Sequence, residues 1–447
     1  MFALRMTRGA VISGAVALVL MISACASPPD LREIEVSFDA PPEIRPARVS
    51  ADVARTEFGQ RVIRAVETNP DISASSASVR AEQARAEAEG RGFYPRFSIG
   101  AVLGEVASGG VSSGGISPVL RVMQLVYDGG ASASRQVAAQ ARVFQSRGAR
   151  QELAAARTLD AVAVWYDLRA ARERFEIANE NTRAHERVLR QVRERADAGA
   201  GGNADVLTTE ARLATARARA AEARARMERA ESGFAASFGT RPPASLAAPP
   251  QAPRLPQAED NILIATSPRI LGMEARIAAA EADIAVARAQ RFPRVGVDAR
   301  AQRSGANATL DVDYDVGAPG SQRARIAAAK AERDAVLAEH DGLAREILRA
   351  LADLRSDQRA GAARVSAARE AVRAHRATVE ASREEFSIGR RSLIGLLDAE
   401  RDLLEANETL IAAEREVALS GYAALALTGD ILDAFAIRLP QTQGSTE

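Results

Sequence analysis

The sequence is poor in cysteine and in aromatic residues. Cys25 is the single cysteine among 447 residues, and aromatic residues make up only 4% although 47% of the residues are hydrophobic. A single cysteine excludes an internal disulfide. Alanine supplies much of the hydrophobic fraction, and small side chains at this frequency suit helices packed closely over long distances better than a globular core with aromatic anchors.

An excess of charge of one sign is also missing. Lys and Arg number 59 and Asp and Glu number 58, which gives a formal net charge of +1. No basic excess is available to bind a nucleic-acid backbone, so we expect no nucleic-acid partner. After the first 24 residues, no segment contains the roughly eighteen uninterrupted apolar residues of a transmembrane helix. Any membrane crossing is therefore predicted to use β-strands.

The residue types that usually carry catalysis are sparse. His185, His340 and His375 lie far apart on predicted helices, with no spacing suited to a metal site. No glycine-rich phosphate loop follows a predicted strand. The sequence therefore predicts that the chain is not an enzyme and binds no cofactor or metal. Trp165 and Tyr166 are interpreted as packing residues between helices.

The chain begins with the layout of a secretory signal peptide. Arg5 and Arg8 precede an uncharged stretch at residues 9–24. This arrangement predicts a signal peptide at residues 1–24, which is removed from the mature protein and is not itself a membrane anchor.

The end of this leader, Ile-Ser-Ala-Cys at residues 22–25, matches a bacterial lipobox. In a lipobox the signal peptidase cuts before the cysteine, so Cys25 is predicted to be the first mature residue and to carry a diacylglyceryl group and fatty acids such as palmitate. Ala26 follows the cysteine where an inner-membrane retention signal has Asp, which favours sorting to the outer membrane. The alternative is an ordinary signal peptide that contains a cysteine by chance.

The remaining chain repeats itself. Pro70 and Pro268 each open a predicted helical stretch, and Pro95 and Pro293 each close one, at the same offset of 198 residues (268 minus 70, 293 minus 95). This spacing predicts two structural halves, and the prolines between them predict a linker. The predicted organisation is a signal peptide at 1–24, a lipidated extended segment at 25–50, a first repeat at 51–240 with a hairpin at 97–127, a proline-rich linker at 241–260, a second repeat at 261–430 with a hairpin at 294–316, and a C-terminal tail at 431–447.

Each half contains one very long predicted helix, at residues 131–198 and 321–388, without a proline. At about 1.5 Å per residue, each is on the order of 100 Å long, too long for a compact domain to surround. Apolar residues recur every seven positions, as in coiled coils, and two adjacent stripes predict packing on two sides, as in a closed ring of helices. The heptad positions are Val206, Leu213, Ala220, Met227 and Phe234; Val365, Val372, Val379 and Phe386; Leu396, Leu403, Leu410 and Val417, with Leu397, Leu404 and Ile411 beside them.

Two segments of the second half change to a period of two. Residues 294–302 and 310–316 alternate between apolar and polar side chains, which predicts two strands separated by a turn at 303–308. Each is about as long as a tilted transmembrane strand. Val295, Val297, Leu310 and Val312 are predicted to face lipid, and Asp311 and Asp313 to face a pore. The first half has a weaker pattern, with strands at 97–106 and 116–127. The alternative is a hairpin that caps a soluble domain.

Taken together, these segments resemble the TolC-like outer-membrane efflux protein family, including its lipidated branch, over residues 53–429. The resemblance rests on the proline-marked helix boundaries, on the Tyr-Asp-Gly-Gly turn at residues 127–130, and on residues 386–399. The last segment, F-S-I-G-R-R-S-L-I-G-L-L-D-A, is similar to the family signature Y-x-x-G-x-x-S-x-x-D-V-L-D-A. The order, duplication and spacing of these pieces carry the resemblance.

The resemblance implies a mainly α fold with a small β part. Each chain of a homotrimer gives four strands to a shared twelve-stranded transmembrane β-barrel, and its long antiparallel coiled-coil helices to a trimeric α-barrel tunnel that extends into the periplasm of a Gram-negative bacterium. It also implies passive conduction across the outer membrane, in tripartite efflux or type I secretion. The substrates would come from an inner-membrane pump or ABC transporter through a periplasmic adaptor protein.

The resemblance further implies roles for residues at the periplasmic tip. The turns at 199–205 and 389–395, with Gly199, Gly389 and Gly395, are expected to contact the adaptor.

The resemblance also implies a periplasmic aperture. Its residues would be Asp398, Asp205, Arg391 and Phe386. Arg391 matches an arginine that helps hold the family's tip shut. Phe386 stands where the signature has tyrosine and cannot make its hydroxyl hydrogen bond. Gly395 stands where one acid of the signature is expected, so the acidic ring is predicted to be thinner. The alternative is that the two aspartates are helix N-terminal charges favoured by the dipole, and that Arg391 is a solvated tip residue.

The main rival function is a periplasmic coiled-coil adaptor or scaffold lipoprotein. An adaptor is expected to have one helical hairpin flanking a compact β-domain, whereas this chain has two equivalent halves that each carry a strand hairpin.

Lipidation is tested by replacing the predicted acceptor. Because the sulfur of Cys25 is the only possible thioether site, Cys25→Ser is expected to abolish incorporation of a clickable fatty acid, measured in cells by gel fluorescence. Persistent labelling of the variant would show that the lipobox is not used.

Overall fold

The computed structural model describes residues 30–39, 48–103, 116–199, 201–302, 305–315 and 317–439. The predicted signal peptide, Cys25, and residues 440–447 of the tail lie outside the described residues. The helices are α1 (Arg32–Asp39), α2 (Glu57–Glu67), α3 (Pro70–Gly90), α4 (Ala131–Asp197), α5 (Asn203–Phe238), α6 (Asp260–Ala265), α7 (Pro268–Ala289), α8 (Ser321–Ser387), α9 (Leu393–Thr428) and α10 (Asp430–Ala434); the strands are β1 (Arg96–Leu103), β2 (Ile116–Tyr127), β3 (Arg294–Gln302) and β4 (Gly305–Asp313).

The two predicted halves have helices of identical length. α4 and α8 each contain 67 residues, and α5 and α9 each contain 36. Both long helices end just before a glycine in the left-handed region, Gly199 with φ 72° and Gly389 with φ 77°. A residue with a Cβ atom is strained at such a φ, so these glycines end the helices and turn the chain back into α5 and α9. The predicted long helices and the repeat are therefore confirmed.

The helix α4 is the common packing partner of both halves. It contacts α3 and α5 of its own half and α7 and α9 of the other half. Its counterpart α8 contacts α7 and α9 and the short α6. This difference appears in burial, since 25 residues of α4 are buried but only nine of α8. One flank of α8 is therefore left uncovered by the residues that the structure describes.

Seven of the eighteen aromatic residues share one core, which the composition did not predict. The rings of Phe58, Trp165, Phe234, Tyr422 and Phe435 are fully buried and meet where α2, α4, α5 and α9 come together. The core also binds the proline-rich linker, because the indole of Trp165 donates to a linker carbonyl at 3.4 Å and the hydroxyl of Tyr422 to another at 2.9 Å. Aromatic side chains with a polar atom suit this position because they bury a large area and still pair backbone groups. The expected packing role of Trp165 is confirmed.

The four strands form one antiparallel sheet in the order β1-β2-β3-β4. The pairing of β2 with β3 joins the two halves. The prediction of a turn at 303–308 was wrong in part, because β4 begins at Gly305 and ends at Asp313. Small residues at 305–308 resemble a loop in composition, but they pair with β3 through to Gln302. In the first half, residues 104–115 of the predicted hairpin lie outside the described residues, as does Val316 in the second.

Among the described helices, none combines the length and the apolar character needed to cross a membrane.

Candidate functional site at the helical tip and on the sheet

The two turns at the ends of the long helices form an exposed helical tip. A Cβ atom added at Gly199 or Gly389 would have no neighbour within 4 Å. Large apolar side chains nearby are also exposed: Leu207 by 58%, Ile388 by 66% and Ile394 by 60%. Apolar side chains grouped in this way commonly mark a protein contact surface.

Behind the exposed turns, one apolar cluster joins the tips of both halves. Its buried members come from α4, α8 and α9, and α5 adds one partly buried residue. The cluster consists of Val188, Val192, Phe386, Leu393, Leu396 and Leu397, with Val206 packed against it. The tip is therefore positioned by side chains that are far apart in the sequence.

Phe386 is held by a cation from the other half. Its ring is only 4% exposed, and the guanidinium of Arg195 lies 4.5 Å from the ring centroid. Arg195 also donates a hydrogen bond to the carbonyl oxygen of Ser387 at 2.8 Å. A cation over an aromatic face stabilises by about 0.5–2 kcal/mol. The ring that lacks the signature's hydroxyl is thus fixed by Arg195, a contact that the sequence did not reveal.

Arg391 lies beside the position of the missing signature acid. Its Nη1 atom is 3.4 Å from Oε2 of Glu385, while its Nε atom is buried and has no hydrogen-bond acceptor among the described residues. A Cβ atom added at Gly395 would lie 3.3 Å from this Nε atom. An acid at position 395 would therefore meet Arg391 directly.

The two predicted aperture acids lie in different environments. Asp398 is half-buried and paired with Arg401 at 3.3 Å and with Arg212 at 3.9 Å. Hydrogen bonding to Asp402, and then the charge of Asp398, raises the pKa of Arg401.

Asp205 lies in the first turn of α5 and is exposed. No described side chain is paired with its carboxylate, and it is seven residues from Arg212, or about 10 Å along the helix. Asp205 and Asp398, which pairs with Arg212, therefore lie at different heights along the helix axis.

Sequence reasoning missed a buried ion pair behind the tip. Glu400 is 3% exposed, and its carboxylate accepts a hydrogen bond from Nε of Arg383 at 2.8 Å. Its carbonyl oxygen accepts one from Asn181 of α4 at 3.3 Å. The signal was present, because Glu400 lies on the same helical stripe as Leu397 and Leu404, where a charge is not expected.

The sheet has two chemically different faces. The register pairs Val295 with Val312 and Val297 with Leu310 on one face, and Gly296 with Asp311 and Arg294 with Asp313 on the other. Leu310 is 69% exposed and Val312 60%. An exposed apolar face opposite a charged one is typical of strands between lipid and water.

The charged face carries a further cluster that the sequence did not predict. Asp298 accepts hydrogen bonds from Nε of Arg121 at 2.8 Å and from Nε of Arg300 at 3.1 Å. Arg121 lies 177 residues from Asp298, so only the pairing of β2 with β3 brings them together. Across the parts of the chain that the structure describes, no group of acidic, histidine or cysteine side chains is arranged to hold a metal ion.

Long helical hairpins that share one apolar tip, topped by a sheet with an apolar and a charged face, define the class of outer-membrane channels built mainly of helices. The sequence profile described as outer membrane efflux protein matches residues 62–240 and 261–429, and the chain belongs to this family. The predicted family and the mainly α fold are confirmed. The family is one of outer-membrane efflux proteins rather than enzymes, so the prediction that the chain is not an enzyme is confirmed.

Individual relatives agree with this assignment. The chain is 25% identical over 386 residues to the outer membrane efflux protein BepC of Brucella suis biovar 1 (strain 1330), covering 82% of this chain and 84% of BepC. The outer-membrane channel OprN is 24% identical with a TM-score of 0.75, covering 91% of this chain and 99% of OprN. The open state of the channel MtrE of Neisseria gonorrhoeae is 18% identical with a TM-score of 0.74, covering 84% and 90%.

The buried ion pair predicts an asymmetry between its two partners. Arg383→Ala leaves the Glu400 carboxylate buried and unpaired, which costs about 3 kcal/mol. Glu400→Gln costs about 1 kcal/mol, because Arg383 is 41% exposed and can be hydrated. The measurement is the free energy of opening of the amides in residues 386–400, by hydrogen exchange of the assembled protein.

Arg369→Ala is the matched control on the same helix. Arg369 pairs with Glu414, but both side chains are exposed, so the expected change is within about 0.5 kcal/mol. An effect of Arg383→Ala no larger than this control would show that the pair does not fix the tip.

Proposed function

We propose that the protein is the exit duct of a tripartite efflux or type I secretion system. It conducts substrates passively across the outer membrane of a Gram-negative bacterium. The substrates are delivered by an inner-membrane pump or ABC transporter through a periplasmic adaptor. The observation that carries this proposal is the two-faced sheet of the four described strands, whose edges β1 and β4 have no partner strand.

Open sheet edges require further copies of the chain. Unpaired backbone groups cannot be satisfied in lipid, and a closed barrel needs about eight strands or more. Pairing β1 of one copy with β4 of the next satisfies both edges. Three copies, as the TolC-like resemblance implies, make a twelve-stranded barrel, with the apolar face toward lipid and Asp311 and Asp313 toward the pore.

The helices support the same assembly. Among the described elements, helices of the same chain cover α4 on both flanks but α8 on only one. In a ring, the free flank of α8 packs against α3 and α5 of the next copy. This completes the α-barrel tunnel below the sheet.

The start of the described chain is compatible with a lipid anchor at Cys25. The ring of Phe38 in α1 stacks on Phe144 of α4 at 5.7 Å. Phe144 is 13 residues below the start of α4, or about 20 Å from the sheet. Six residue steps join Cys25 to Leu31, and a chain of this length can reach at most about 20 Å, enough to bring the lipid to the membrane surface.

The exposed tip supports contact with an adaptor. Gly199 and Gly389 form turns without bulky side chains, and Leu207 and Ile394 offer apolar surface beside them. Gly395, predicted to lie in a turn, is in the first turn of α9. Family membership and the two equivalent hairpins argue against the rival proposal that the chain is itself the adaptor.

We assign the aperture to the same tip. Three-fold symmetry would turn Asp205 and Asp398 into two rings of carboxylates, which attract cations to a narrow aqueous path. Asp398 contributes less, because Arg401 and Arg212 already balance its charge. Arg391 and the packed ring of Phe386 hold the tip together.

Cysteine substitution along β4 tests the barrel. Asp311→Cys and Asp313→Cys are expected to react with a water-soluble maleimide in isolated outer membranes, because these positions face water. Leu310→Cys and Val312→Cys are expected to react only after the membrane is dissolved. The unsubstituted chain is the blank. Equal labelling at all four positions would favour a hairpin on a soluble domain.

The aperture is tested by conductance of the purified trimer in planar bilayers. Arg391→Ser is expected to raise single-channel conductance by removing a contact that holds the turn. Gly395→Asp is expected to lower it, because the new carboxylate reaches Nε of Arg391. Arg390→Ser, an exposed neighbour, is the control. If Arg391→Ser behaves like Arg390→Ser, the aperture lies elsewhere.

Asp205→Asn is expected to reduce cation selectivity more than Asp398→Asn in the same recordings. The reverse order would contradict the view that the arginines balance Asp398.

A further inference from the structure

Two arginines lie directly opposite each other on the charged face of the sheet. The register pairs Arg121 of β2 with Arg300 of β3. Like charges directly opposite destabilise a sheet unless another group compensates them. Asp298, two residues before Arg300 and on the same face, supplies that group by accepting hydrogen bonds from both guanidiniums. One carboxylate thus serves two cations, which leaves a charge of about +1 at this level of each chain.

The two guanidinium groups are more exposed to solvent than the carboxylate that pairs with them. The Asp298 side chain is only 8% exposed, whereas Arg121 is 39% and Arg300 53% exposed. Each guanidinium meets the aspartate through its Nε and Nη2 atoms. Within the described chain, no hydrogen bond uses the Nη1 atom of either. These N–H groups can donate hydrogen bonds to a ligand, and their positive charge favours a ligand that is negatively charged.

The neighbouring strands add no acid to this row. Ser98 of β1 lies opposite Arg121, and Asn307 of β4 lies opposite Arg300. The row across all four strands therefore contains two cations and two neutral hydrogen-bonding side chains. Asp311 and Asp313 lie four and six residues further along β4 than Asn307, or about 13 and 20 Å along the backbone, nearer the helices. The charge of Asp311 still acts on Arg121, but more weakly than that of Asp298.

We propose that the barrel lumen carries an anion-binding belt, formed by Arg121 and Arg300 on the support of Asp298, that takes solutes with carboxylate, sulfate or phosphate groups. The belt rests on the proposed channel, since it becomes a ring only when three copies close the barrel. Six guanidiniums then face three buried carboxylates around one aqueous path. Rings of arginine raise the local concentration of anions and favour their passage. The selectivity of the barrel is thus opposite in sign to that of the acidic tip.

The belt is tested by current block and reversal potential of the purified full-length trimer in planar bilayers. Tripolyphosphate added on the barrel side is the probe, because its oxygens can bridge several guanidiniums. Arg300→Gln is expected to raise the half-blocking concentration about tenfold, the lower end of effects from charged clefts. Arg300→Gln is also expected to shift the reversal potential in a KCl gradient toward cation preference. Asp298→Asn shifts it toward anion preference.

Arg294→Gln is the matched control, with the same charge change on the same face but in the row of Asp313. It is expected to leave tripolyphosphate block nearly unchanged. Equal loss of block in Arg294→Gln and Arg300→Gln would overturn the belt in favour of a diffuse lumen charge. Arg300 is the better target than Arg121 because it is more exposed, so its loss disturbs the sheet less.

The recordings separate this inference from the proposed function. If the unsubstituted trimer conducts but Arg300→Gln changes neither block nor reversal potential, the belt is wrong and the channel stands. If the unsubstituted protein forms no conducting trimer, the proposed function itself fails.

Discussion

The structure depends on the burial of α4 by helices from both halves of the chain. A helix of 67 residues cannot be covered by a compact domain, so it must be packed along its whole length. Within the chain, α3 and α5 of the first half and α7 and α9 of the second half pack against it. The equivalent helix α8 has only one flank covered by the described residues, so the packing that the chain completes for α4 stays incomplete for α8. The assembly proposed above answers this asymmetry, because two halves of one chain provide one complete set of flanks and leave one incomplete.

The aromatic core explains how long helices with mostly small side chains are held in register. Alanine stripes permit close approach but resist sliding weakly, because neighbouring positions are alike. Trp165 and Tyr422 bury large, distinctive shapes and also bind the linker through their polar atoms. Arg48 pairs with the buried Asp430 at 3.5 Å. This pair joins the start of the segment 48–103 to the residues that follow α9. The specific contacts are thus grouped near the middle of the molecule, and the helices extend from there toward the sheet and the tip.

Local sequence patterns predicted the helices and strands, but they could not predict the contacts that build the site. Proline positions, heptads and alternation gave the long helices, the repeat and β3, since each depends on residues close in sequence. The start of β4 was missed because its small residues resemble a loop, and only pairing with β3 shows otherwise. Arg195 under Phe386, Arg212 beside Asp398, and Arg121 on Asp298 come from distant segments, so no local spacing announces them. Glu400 was detectable in principle, as a charge within an apolar stripe.

The distribution of charge agrees with a conduit that acts at its ends. All but one of the 59 basic residues are arginines, Lys330 being the exception. Along the hairpins, arginines pair with glutamates across helices, as Arg364 does with Glu416 and Arg172 with Glu231. Exposed pairs of this kind add little stability, but the planar guanidinium fixes the orientation of its partner. Each such pair also neutralises one positive and one negative charge on the helical surface. Charge that the described side chains do not fully balance remains at the exposed tip, through Asp205, and on the charged face of the sheet, where Arg121 and Arg300 share Asp298.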